Sequence, residues 1–588
     1  MRNLYIAEAE KYLGHKWEVL PASVFLEFAR NGNRTNYSKI YTERRKTLSI
    51  LVFAEIFENK DRFTDDIVNL TWAICEETFW GVPAHLGMQK AGVGLPDTEE
   101  PIVDLFAAET GSMLAWVSYL VGEKLDKVSP LVQKRIHYEI NRRILTPNLE
   151  RTDFWWMGFG EGKVNNWNPW INSNWLACVL LCEEDNDRRI DALHKIMLSL
   201  DNFINGYPDD GGCDEGPQYW GKAAGALYLA LELFDKASSG SINIFDQELI
   251  KNMGAYIYKV YIGNDYYVNF ADASAKAGPS PALIYRYGKS INDDVMTHFA
   301  AYLAEKHQFG NTIITDTWGQ FTRLLPELLQ ITDLRRIKGT MPSIRDTWLP
   351  QTELMTARST GNSLQSFYVS AKGGHNAESH NHNDVGSFMV YYEGNPVLID
   401  IGVETYTAKT FSSHRYEIWT MQSAYHNLPL INGQMQAAGR EYAANNIKYK
   451  ESDSKAVLSM DISKAYPAEA NVISWERTIT LNRGKNIVIA EKYKLNKVTG
   501  NISLNFMTVQ EPDASIPGKI KITGKKLNGD SFELAMFYDK SKFTAIVEDM
   551  EITDPRLKNT WGDRLYRIVL KWEKPDIKGN CKTVIKEL

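Results

Sequence analysis

The chain is poor in cysteine and has no long apolar run. Its 588 residues include five cysteines, an odd and widely spaced set: Cys75, Cys178, Cys182, Cys213 and Cys581. Such a set provides no disulfide framework, which excludes a small module stapled by disulfide bonds. A run of about 18 apolar residues is also absent, so we expect no membrane span.

An excess of positive charge is missing as well. The formal net charge is -7, whereas nucleic-acid binders usually show a basic footprint, so we expect no nucleic-acid partner. A net negative charge still permits an anionic substrate, because a few local basic or amide side chains suffice to bind one. The first eleven residues carry charges without an apolar segment, so the sequence as given predicts a cytoplasmic protein, or a periplasmic one if a leader was trimmed.

The first part of the chain has the apolar spacing of helices. A length of 588 residues exceeds what one core usually supports, so we expect at least two domains. Helical spacing recurs at Ile67, Leu70 and Ile74, and again over 106–121, 176–181 and 223–234. Many helix pairs in one block predict an (α/α) toroid or solenoid over residues 1–345.

Two stretches of this helical part are rich in polar and aromatic residues. Residues 165–175 hold five Asn and three Trp, and residues 207–220 read YPDDGGCDEGPQYW. We interpret both as loops that precede apolar helices. Helix caps and turns explain single Asn, Asp, Gly and Pro residues, but they require neither the tryptophans nor Tyr219.

After about residue 350 the pattern changes to short alternating and β-branched runs separated by turns. These runs predict an antiparallel β-sandwich over residues 346–588, with strands near 366–370, 387–392, 397–401, 456–460, 478–481 and 487–490. The expected fold class is therefore α+β multidomain, with an N-terminal (α/α) toroid followed by a C-terminal antiparallel β-sandwich.

Residues 379–388 (SHNHNDVGSF) concentrate two imidazoles, two amides and a carboxylate directly before an apolar run. Alternate residues of an extended chain point to one side, so His380, His382 and Asp384 can face one site. That density is typical of a metal site or an acid/base site. The alternative is a polar loop that caps a sheet.

These residues resemble the heparinase II/III family of polysaccharide lyases. The resemblance is most specific at His380-x-His382-x-Asp384-x-Gly386-x-Phe388 followed by 398–402 (LIDIG), and it extends to 80–85 (WGVPAH) and to the loop 210–219. The resemblance implies a helical toroid followed by a β-sandwich. It also implies β-elimination at a uronic acid, in which the C5 proton is removed and the C4 oxygen is expelled.

The resemblance also assigns roles to residues. It implies that Asn174 binds the uronate carboxylate, with Asn172 able to share that role, and that Tyr219 acts as general acid and base. His380 matches a histidine that reaches the cleft, as a second base or an orienting group. Trp175 stands where several relatives have His, so the base stays open. The expected substrate-binding residues are Asn172, Trp175, Trp170, Glu215, His414 and Arg415.

A metal site is implied by the same resemblance, with His382, Asp400 and His426 as ligands. Two imidazoles and a carboxylate suit Zn²⁺ in a structural or supporting role. His414 is the competing third ligand. A tight turn at Gly394 would place Asp400 opposite Met389, far along the chain from His382, so the loop before Gly386 has to fold back.

The leading functional hypothesis is a lyase acting on an acidic polysaccharide or its oligosaccharides. Glycosaminoglycans (heparin or heparan sulfate, then hyaluronan or chondroitin) are favoured over alginate or another polyuronate. The alternatives are a non-catalytic glycan-binding protein and a glycoside hydrolase, for which Glu215 with Asp210 or Asp214 is the candidate carboxylate pair. The oligomeric state is left open.

Overall fold

The computed structural model describes residues 1–316, 319–342, 344–361, 363–526 and 529–588. The chain divides into two compact units. The first unit comprises Met1–Tyr207, Gly221–Gln247 and Ser280–Thr340, and the second comprises Pro208–Trp220, Glu248–Pro279 and Met341–Leu588. The sequence predicts a single boundary at residue 345, whereas the structure assigns two earlier segments to the second unit.

The first unit is built from helices. Its α-helices are Arg2–Ala9, Ala22–Phe25, Glu27–Asn31, Thr35–Glu58, Thr64–Glu76, Leu105–Val128, Leu131–Ile140, Thr146–Glu150, Trp167–Cys182, Asn186–Gly206, Ala224–Ala237, Pro281–Ser290, Asp294–Lys306 and Phe321–Arg336, with a π-helical turn at Asn141–Leu145. Short 3₁₀ helices occupy Glu10–Tyr12, Pro83–Met88 and Trp155–Met157. None of the helices in the described ranges is long and apolar enough to cross a membrane.

The helix Trp167–Cys182 corrects the interpretation of residues 165–175 as a loop. The Asn165 side chain accepts the Trp167 N–H at 3.0 Å, which satisfies one unpaired donor at the helix start. Pro169 lies in the first turn, where its missing N–H costs no helical hydrogen bond. Every residue from Asn168 to Val179 is buried, so the helix is surrounded by the core and its polar side chains are interior.

The second unit is dominated by antiparallel sheets. A five-stranded sheet holds Asp346–Leu349, Leu354–Arg358, Phe367–Lys372, Phe388–Tyr392 and Asn395–Leu398. An eight-stranded sheet holds, in spatial order, Asn445–Glu451, Lys455–Asp461, Val472–Asn482, Asn486–Leu495, Lys578–Glu587, Ser531–Phe537, Lys519–Lys525 and Pro512–Ile516. A four-stranded sheet holds Phe543–Glu551, Arg564–Trp572, Ser503–Thr508 and Pro429–Leu430.

Smaller elements complete the second unit. Two-stranded pairs join Tyr261–Gly263 with Tyr266–Tyr267, and Gly439–Ala443 with His375–Asn376. The α-helices are Pro217–Trp220, Glu248–Lys259 and Pro555–Trp561. Short 3₁₀ helices are Lys409–Phe411, Arg415–Glu417, Trp419–Met421, Ser423–Tyr425, Ser463–Ala465 and Ala468–Ala470.

One apolar core joins the three large sheets. Val390 of the five-stranded sheet, Ile479 of the eight-stranded sheet and Ile568 of the four-stranded sheet are all fully buried in it. Burying one such side chain stabilises the fold by roughly 1.5–3 kcal/mol, so the alternating apolar residues account for the layered packing.

The segment Pro208–Trp220 is tied to the sheets of its own unit by Asp210. The Asp210 carboxylate accepts the backbone N–H groups of Gln351 and Thr352 at 2.7 and 2.9 Å. Gly211 has a φ of +75°, and a Cβ there would lie 2.2 Å from the Asn252 backbone, so the turn requires glycine. This anchoring explains why the segment that carries Tyr219 packs with the second unit.

Candidate active site

A buried carboxylate, Asp272, collects four hydrogen bonds in the second unit. It lies in the loop after Tyr266–Tyr267 and is fully buried. Its Oδ1 accepts from Arg415 Nη2 at 2.7 Å and lies 3.0 Å from His382 Nε2. Its Oδ2 lies 2.7 Å from His380 Nδ1 and accepts from the Tyr406 hydroxyl at 3.1 Å. Burial alone would raise the pKa of Asp272, but these hydrogen bonds and the Arg415 charge hold it well below its usual range.

His380 projects from the histidine stretch 379–388 in a left-handed backbone conformation. Its φ is +54°, which is uncommon for a residue other than glycine and is often found at functional sites. The side chain is 15% exposed, and its Nε2 lies 3.6 Å from Glu215 Oε2. Burial lowers the pKa of His380, but the hydrogen bond to Asp272 and the charge of Glu215 outweigh burial and raise it.

The Tyr219 ring stacks on the His380 ring. Their centroids are 5.1 Å apart at an interplanar angle of 27°, and both side chains keep some exposure. The Tyr219 hydroxyl is hydrogen-bonded to the Tyr406 hydroxyl, and the Arg556 guanidinium lies 5.1 Å from the Tyr406 ring centroid. Burial raises the pKa of Tyr219 to about 12, although the Tyr406 hydrogen bond and the Arg556 charge oppose the shift.

Glu215 is a nearly buried carboxylate beside the same histidine. Its side chain accepts from the Ser379 hydroxyl at 3.2 Å, and only 3% of the residue is exposed. Burial raises the pKa of Glu215 to about 7, with the nearby His380 acting in the opposite direction. Glu215 therefore lies beside His380, and its expected contact with substrate stays a prediction.

Arg415 and His414, both expected to contact substrate, make polar contacts within the protein in this structure. Arg415 donates to Asp272, to the Asn381 carbonyl at 2.9 Å and to the Thr410 carbonyl at 3.0 Å. Its guanidinium is therefore hydrogen-bonded to three acceptors of the protein. His414 is exposed and lies 2.6 Å from Glu417, so it is not placed as the competing metal ligand.

His382, Asp400 and His426 form a compact buried cluster. One potential ligand atom from each lies within 4.8 Å of the other two, and all three residues are 0% exposed. His426 Nδ1 lies 2.9 Å from Asp400 Oδ2, and its Nε2 lies 3.1 Å from the Thr420 carbonyl oxygen. The Nδ1 atom of His382 is buried and has no hydrogen-bond partner among the residues that the structure describes. An unpaired buried nitrogen beside an imidazole and a carboxylate fits the donor set of a zinc site.

The backbone near this cluster departs from the simple hairpin of the sequence analysis. Tyr392 pairs with Asn395, and the strand ends at Leu398, after which Ile399 N donates to the Met507 carbonyl instead. Asp400 therefore leaves the five-stranded sheet. Before Gly386 the chain turns, with Ser387 N donating to the Asp384 carbonyl at 2.9 Å, so the expected fold-back is present.

Asp384 does not join the two histidines, contrary to the expectation from alternation. Its carboxylate accepts from Lys372 Nζ at 2.9 Å inside the protein. The alternation rule assumed an extended chain, whereas the left-handed His380 and the turn at Gly386 break that geometry.

Residues predicted from the helix Trp167–Cys182 lie in the first unit. Asn174 is 3% exposed and donates to the Trp170 carbonyl at 2.9 Å, and the Trp170 indole donates to Glu109 at 2.7 Å. Asn172 is fully buried and donates to the Ser199 hydroxyl at 2.9 Å, and Trp175 is also fully buried. Asn172 and Trp175 are therefore part of the helix packing, without the exposed surface that a sugar contact needs.

Asp272, Tyr406 and Arg556 also lie at this site, and they were not predicted from the sequence. Besides its stacking on Tyr406, Arg556 donates to the Asp272 carbonyl at 2.8 Å. Asp272 is 108 residues before His380, and Tyr406 is 26 residues after it. None of the three stands in a motif, so only the tertiary fold brings them to the histidine.

A known protein family and several solved structures match this chain and agree with its architecture. Residues 341–510 match the family model described as Heparinase II/III-like, C-terminal. No curated protein matches the sequence. The resemblance predicted from the sequence is confirmed over this part of the chain.

Similar solved structures span the whole chain. Heparinase III has a TM-score of 0.68 at 13% identity, over 100% of this chain and 85% of that one. A mutant of the heparan sulfate lyase HepC from Pedobacter heparinus has a TM-score of 0.64 at 13% identity, over 99% and 82%. The chondroitin AC lyase of Streptomyces coelicolor A3, in complex with chondroitin sulphate, has a TM-score of 0.55 at 9% identity, over 100% and 83%. The likeness is one of fold, and it confirms the predicted helical toroid followed by an antiparallel β-sandwich.

Proposed function

We propose that this protein is a polysaccharide lyase that cleaves uronic-acid-containing glycans by β-elimination. The observation that carries the proposal is the stacked pair of Tyr219 and His380, both partly exposed; His380 contacts Asp272 directly, and Tyr219 is linked to Asp272 through the Tyr406 hydroxyl. A phenol and an imidazole in contact supply the two proton-transfer groups that elimination requires. Heparinase III, a heparan sulfate lyase and a chondroitin AC lyase share the fold, which supports a lyase reaction for this protein.

Elimination removes the weakly acidic C5 proton and expels the C4 oxygen. One group has to neutralise the uronate carboxylate, one has to take the C5 proton, and one has to protonate the departing oxygen. Because the pKa of Tyr219 is raised to about 12, the phenol keeps its proton near neutral pH and is suited to donate it to the C4 oxygen. We assign the removal of the C5 proton to the His380 imidazole. This division refines the sequence expectation that Tyr219 serves as both acid and base.

Asn174 is proposed to bind the uronate carboxylate. Support comes from the family resemblance and from its place on a helix whose other Asn side chains are committed to the core, as the Asn172–Ser199 hydrogen bond shows. The Asn174 amide makes a hydrogen bond within its own helix, which a carboxylate ligand can replace.

We further propose that His382, Asp400 and His426 hold one Zn²⁺ ion. All three are buried, and within the described ranges His382 Nδ1 lacks a hydrogen-bond partner. When bound, the ion supplies a cross-link between the histidine stretch 379–388 and the segments that carry Asp400 and His426. The proton transfers are assigned to Tyr219 and His380 alone.

The proposed substrates are glycosaminoglycans, with heparan sulfate or heparin first, then hyaluronan or chondroitin. Heparinase III, a heparan sulfate lyase and a chondroitin AC lyase share the fold, which supports glycosaminoglycans as the substrate class. For a glycoside hydrolase, Asp210 is disfavoured as the partner of Glu215 because its carboxylate accepts from the backbone of Gln351 and Thr352, which leaves Asp214 as the candidate partner.

The test is a panel of polyuronates, each incubated with purified protein and followed by ultraviolet absorbance. A lyase creates a new double bond that absorbs ultraviolet light and also creates a new reducing end. New reducing ends without that absorbance identify a hydrolase and refute the proposal. Binding without either product identifies a glycan-binding protein. Signal on alginate alone would keep the reaction and change the substrate.

A further inference from the structure

We infer that Asp272 sets the tautomers of His380 and His382 in opposite senses, so that one carboxylate prepares both a catalytic histidine and a metal-binding histidine. The inference rests on the proposed function for the roles of the two histidines, and on the structure for their contacts. Asp272 is a positioning residue in this account, because it acts through the two imidazoles.

The two carboxylate oxygens of Asp272 contact different imidazoles. Oδ1 contacts His382 through Nε2 at 3.0 Å, and Oδ2 contacts His380 through Nδ1 at 2.7 Å. Each oxygen also receives a second donor, from Arg415 on Oδ1 and from the Tyr406 hydroxyl on Oδ2. A carboxylate that accepts on both oxygens offers only lone pairs to the imidazoles.

Each imidazole nitrogen that faces Asp272 must therefore carry the hydrogen. For His380 this places the hydrogen on Nδ1 and leaves Nε2 as the atom with a lone pair. Nε2 lies on the side of Glu215, 3.6 Å from its Oε2, so it is the nitrogen that remains for proton transfer.

For His382 the assignment is reversed. Nε2 carries the hydrogen toward Asp272, and Nδ1 keeps the lone pair. That Nδ1 atom is buried and has no hydrogen-bond partner in the described part of the chain, and His382 belongs to the cluster with Asp400 and His426. A lone pair on Nδ1 is what a metal ligand has to present, and histidine ligands commonly donate their other N–H to a carboxylate.

The two effects are linked because the same side chain makes both contacts. His380 and His382 are separated by one residue in the chain, yet they use different ring nitrogens toward one carboxylate. An Asn at position 272 keeps the shape but replaces one oxygen with an N–H donor, which cannot accept from an imidazole N–H. Either amide orientation thus opposes one of the two tautomers and leaves the other contact with a neutral, weaker acceptor.

The experiment compares wild-type protein with Asp272→Asn and with the control Asp346→Asn. Asp346 is also an ion-paired aspartate of the second unit: its side chain is 7% exposed, its carboxylate lies 2.7 Å from Arg345 Nε, and it is bound to Arg483. The control therefore makes the same chemical change at a charge-paired carboxylate whose described partners include neither histidine. Histidine-selective ¹⁵N labelling reports at alkaline pH which nitrogen of each ring carries the hydrogen, with His380→Asn and His382→Asn assigning the signals.

Wild-type protein should show hydrogen on Nδ1 of His380 and on Nε2 of His382. Asp272→Asn should change both signals, weaken zinc binding by about 10–100-fold in a competition titration and lower kcat/KM by a similar factor or more. Asp346→Asn should leave the two signals and the zinc affinity unchanged. The measurement on wild-type protein decides the inference even if Asp272→Asn fails to fold.

Other results of the same experiment would overturn the inference. Wild-type protein with hydrogen on Nε2 of His380 or on Nδ1 of His382 would overturn the inference. A change confined to one histidine in Asp272→Asn would overturn the claim that Asp272 serves both. Absence of lyase activity on every polyuronate would refute the proposed function alone, because the ring signals and the zinc titration do not depend on turnover.

Discussion

Replacing Glu215 with Gln should stabilise the folded protein at about pH 8 and leave its stability nearly unchanged at about pH 5. Glu215 is 3% exposed, and burial raises its pKa from 4.5 to about 7. The folded state therefore holds this proton more tightly than the unfolded state does. The stabilising contribution of the protonated form is complete below the ordinary pKa, and it is lost as pH rises through about 7.

The size of the effect follows from the shift. Moving the pKa from 4.5 to about 7 corresponds to about 3 kcal/mol of free energy of unfolding, which is missing once Glu215 is ionised in the folded state. Gln has nearly the same shape, and its amide oxygen can still accept from Ser379, so it removes the charge alone. For a unit of this size, 3 kcal/mol corresponds to a rise in melting temperature of roughly 5 °C.

The assay is thermal unfolding of wild-type protein and variants at both pH values, with Glu491→Gln as the matched control. Glu491 is as buried as Glu215, but Arg477 compensates its charge at 2.7 Å. In Glu491→Gln the Arg477 guanidinium keeps its hydrogen bonds to the Gly386 and Asn427 carbonyls but loses the carboxylate that balances its buried charge. This loss should lower the free energy of unfolding by about 3–5 kcal/mol. If Glu215→Gln instead lowers the melting temperature at about pH 8 as the control does, attraction to His380 outweighs burial and the reasoning is refuted.

Three further predictions concern the chemistry and the metal. Tyr219→Phe should reduce kcat by about 10²–10⁴-fold while oligosaccharide binding is kept, and His380→Ala should be nearly as damaging; wild-type rates in Tyr219→Phe would move the acid role elsewhere. Elemental analysis should find one zinc per chain, and chelation should lower the melting temperature; protein without bound metal and indifferent to chelators would contradict the zinc proposal. Asn174→Ala should lose turnover with an intact circular dichroism spectrum, whereas near-normal turnover would show that another donor binds the carboxylate.

The sandwich was predictable because its signal is local. Alternation along 456–460 and 478–481 matches buried positions such as Leu458 and Ile479, which face one core. The predicted strand 397–401 extends too far for a related reason. Apolar Ile399 and Ile401 look like a strand continuation, yet they belong to a second buried cluster outside the five-stranded sheet.

The helical site residues were less accessible to sequence reasoning. Five Asn residues in 165–175 resemble a loop because Asn favours caps and turns. In the structure the helix is buried on all sides, so its polar residues pair within the core, as Asn168 does with the Ser199 carbonyl at 2.9 Å. Tertiary burial overrides local preference here, and a single sequence does not reveal which helix will be enclosed.

Asp272 was even less accessible to sequence reasoning than the helical site residues. It is one of 73 acidic residues, and neither its neighbours nor its spacing marks it. The motif His380-x-His382 located the site, but the partner that organises both rings comes from a loop 108 residues away. Local patterns identify groups that carry chemistry, whereas the groups that orient them are set by the fold.

The placement of that partner explains how irregular backbone can carry proton-transfer groups. His380 has a positive φ and lies outside strands and helices, so hydrogen bonds of its own backbone ladder do not fix it. Its loop is instead held from three sides. Arg415 donates to the Asn381 carbonyl, the Gln436 amide spans both backbone groups of Val385, and Asp272 accepts from the two imidazoles. Each contact comes from a different part of the second unit, so the loop has several independent attachments. Such attachments can hold residues of irregular backbone in the geometry that proton transfer needs.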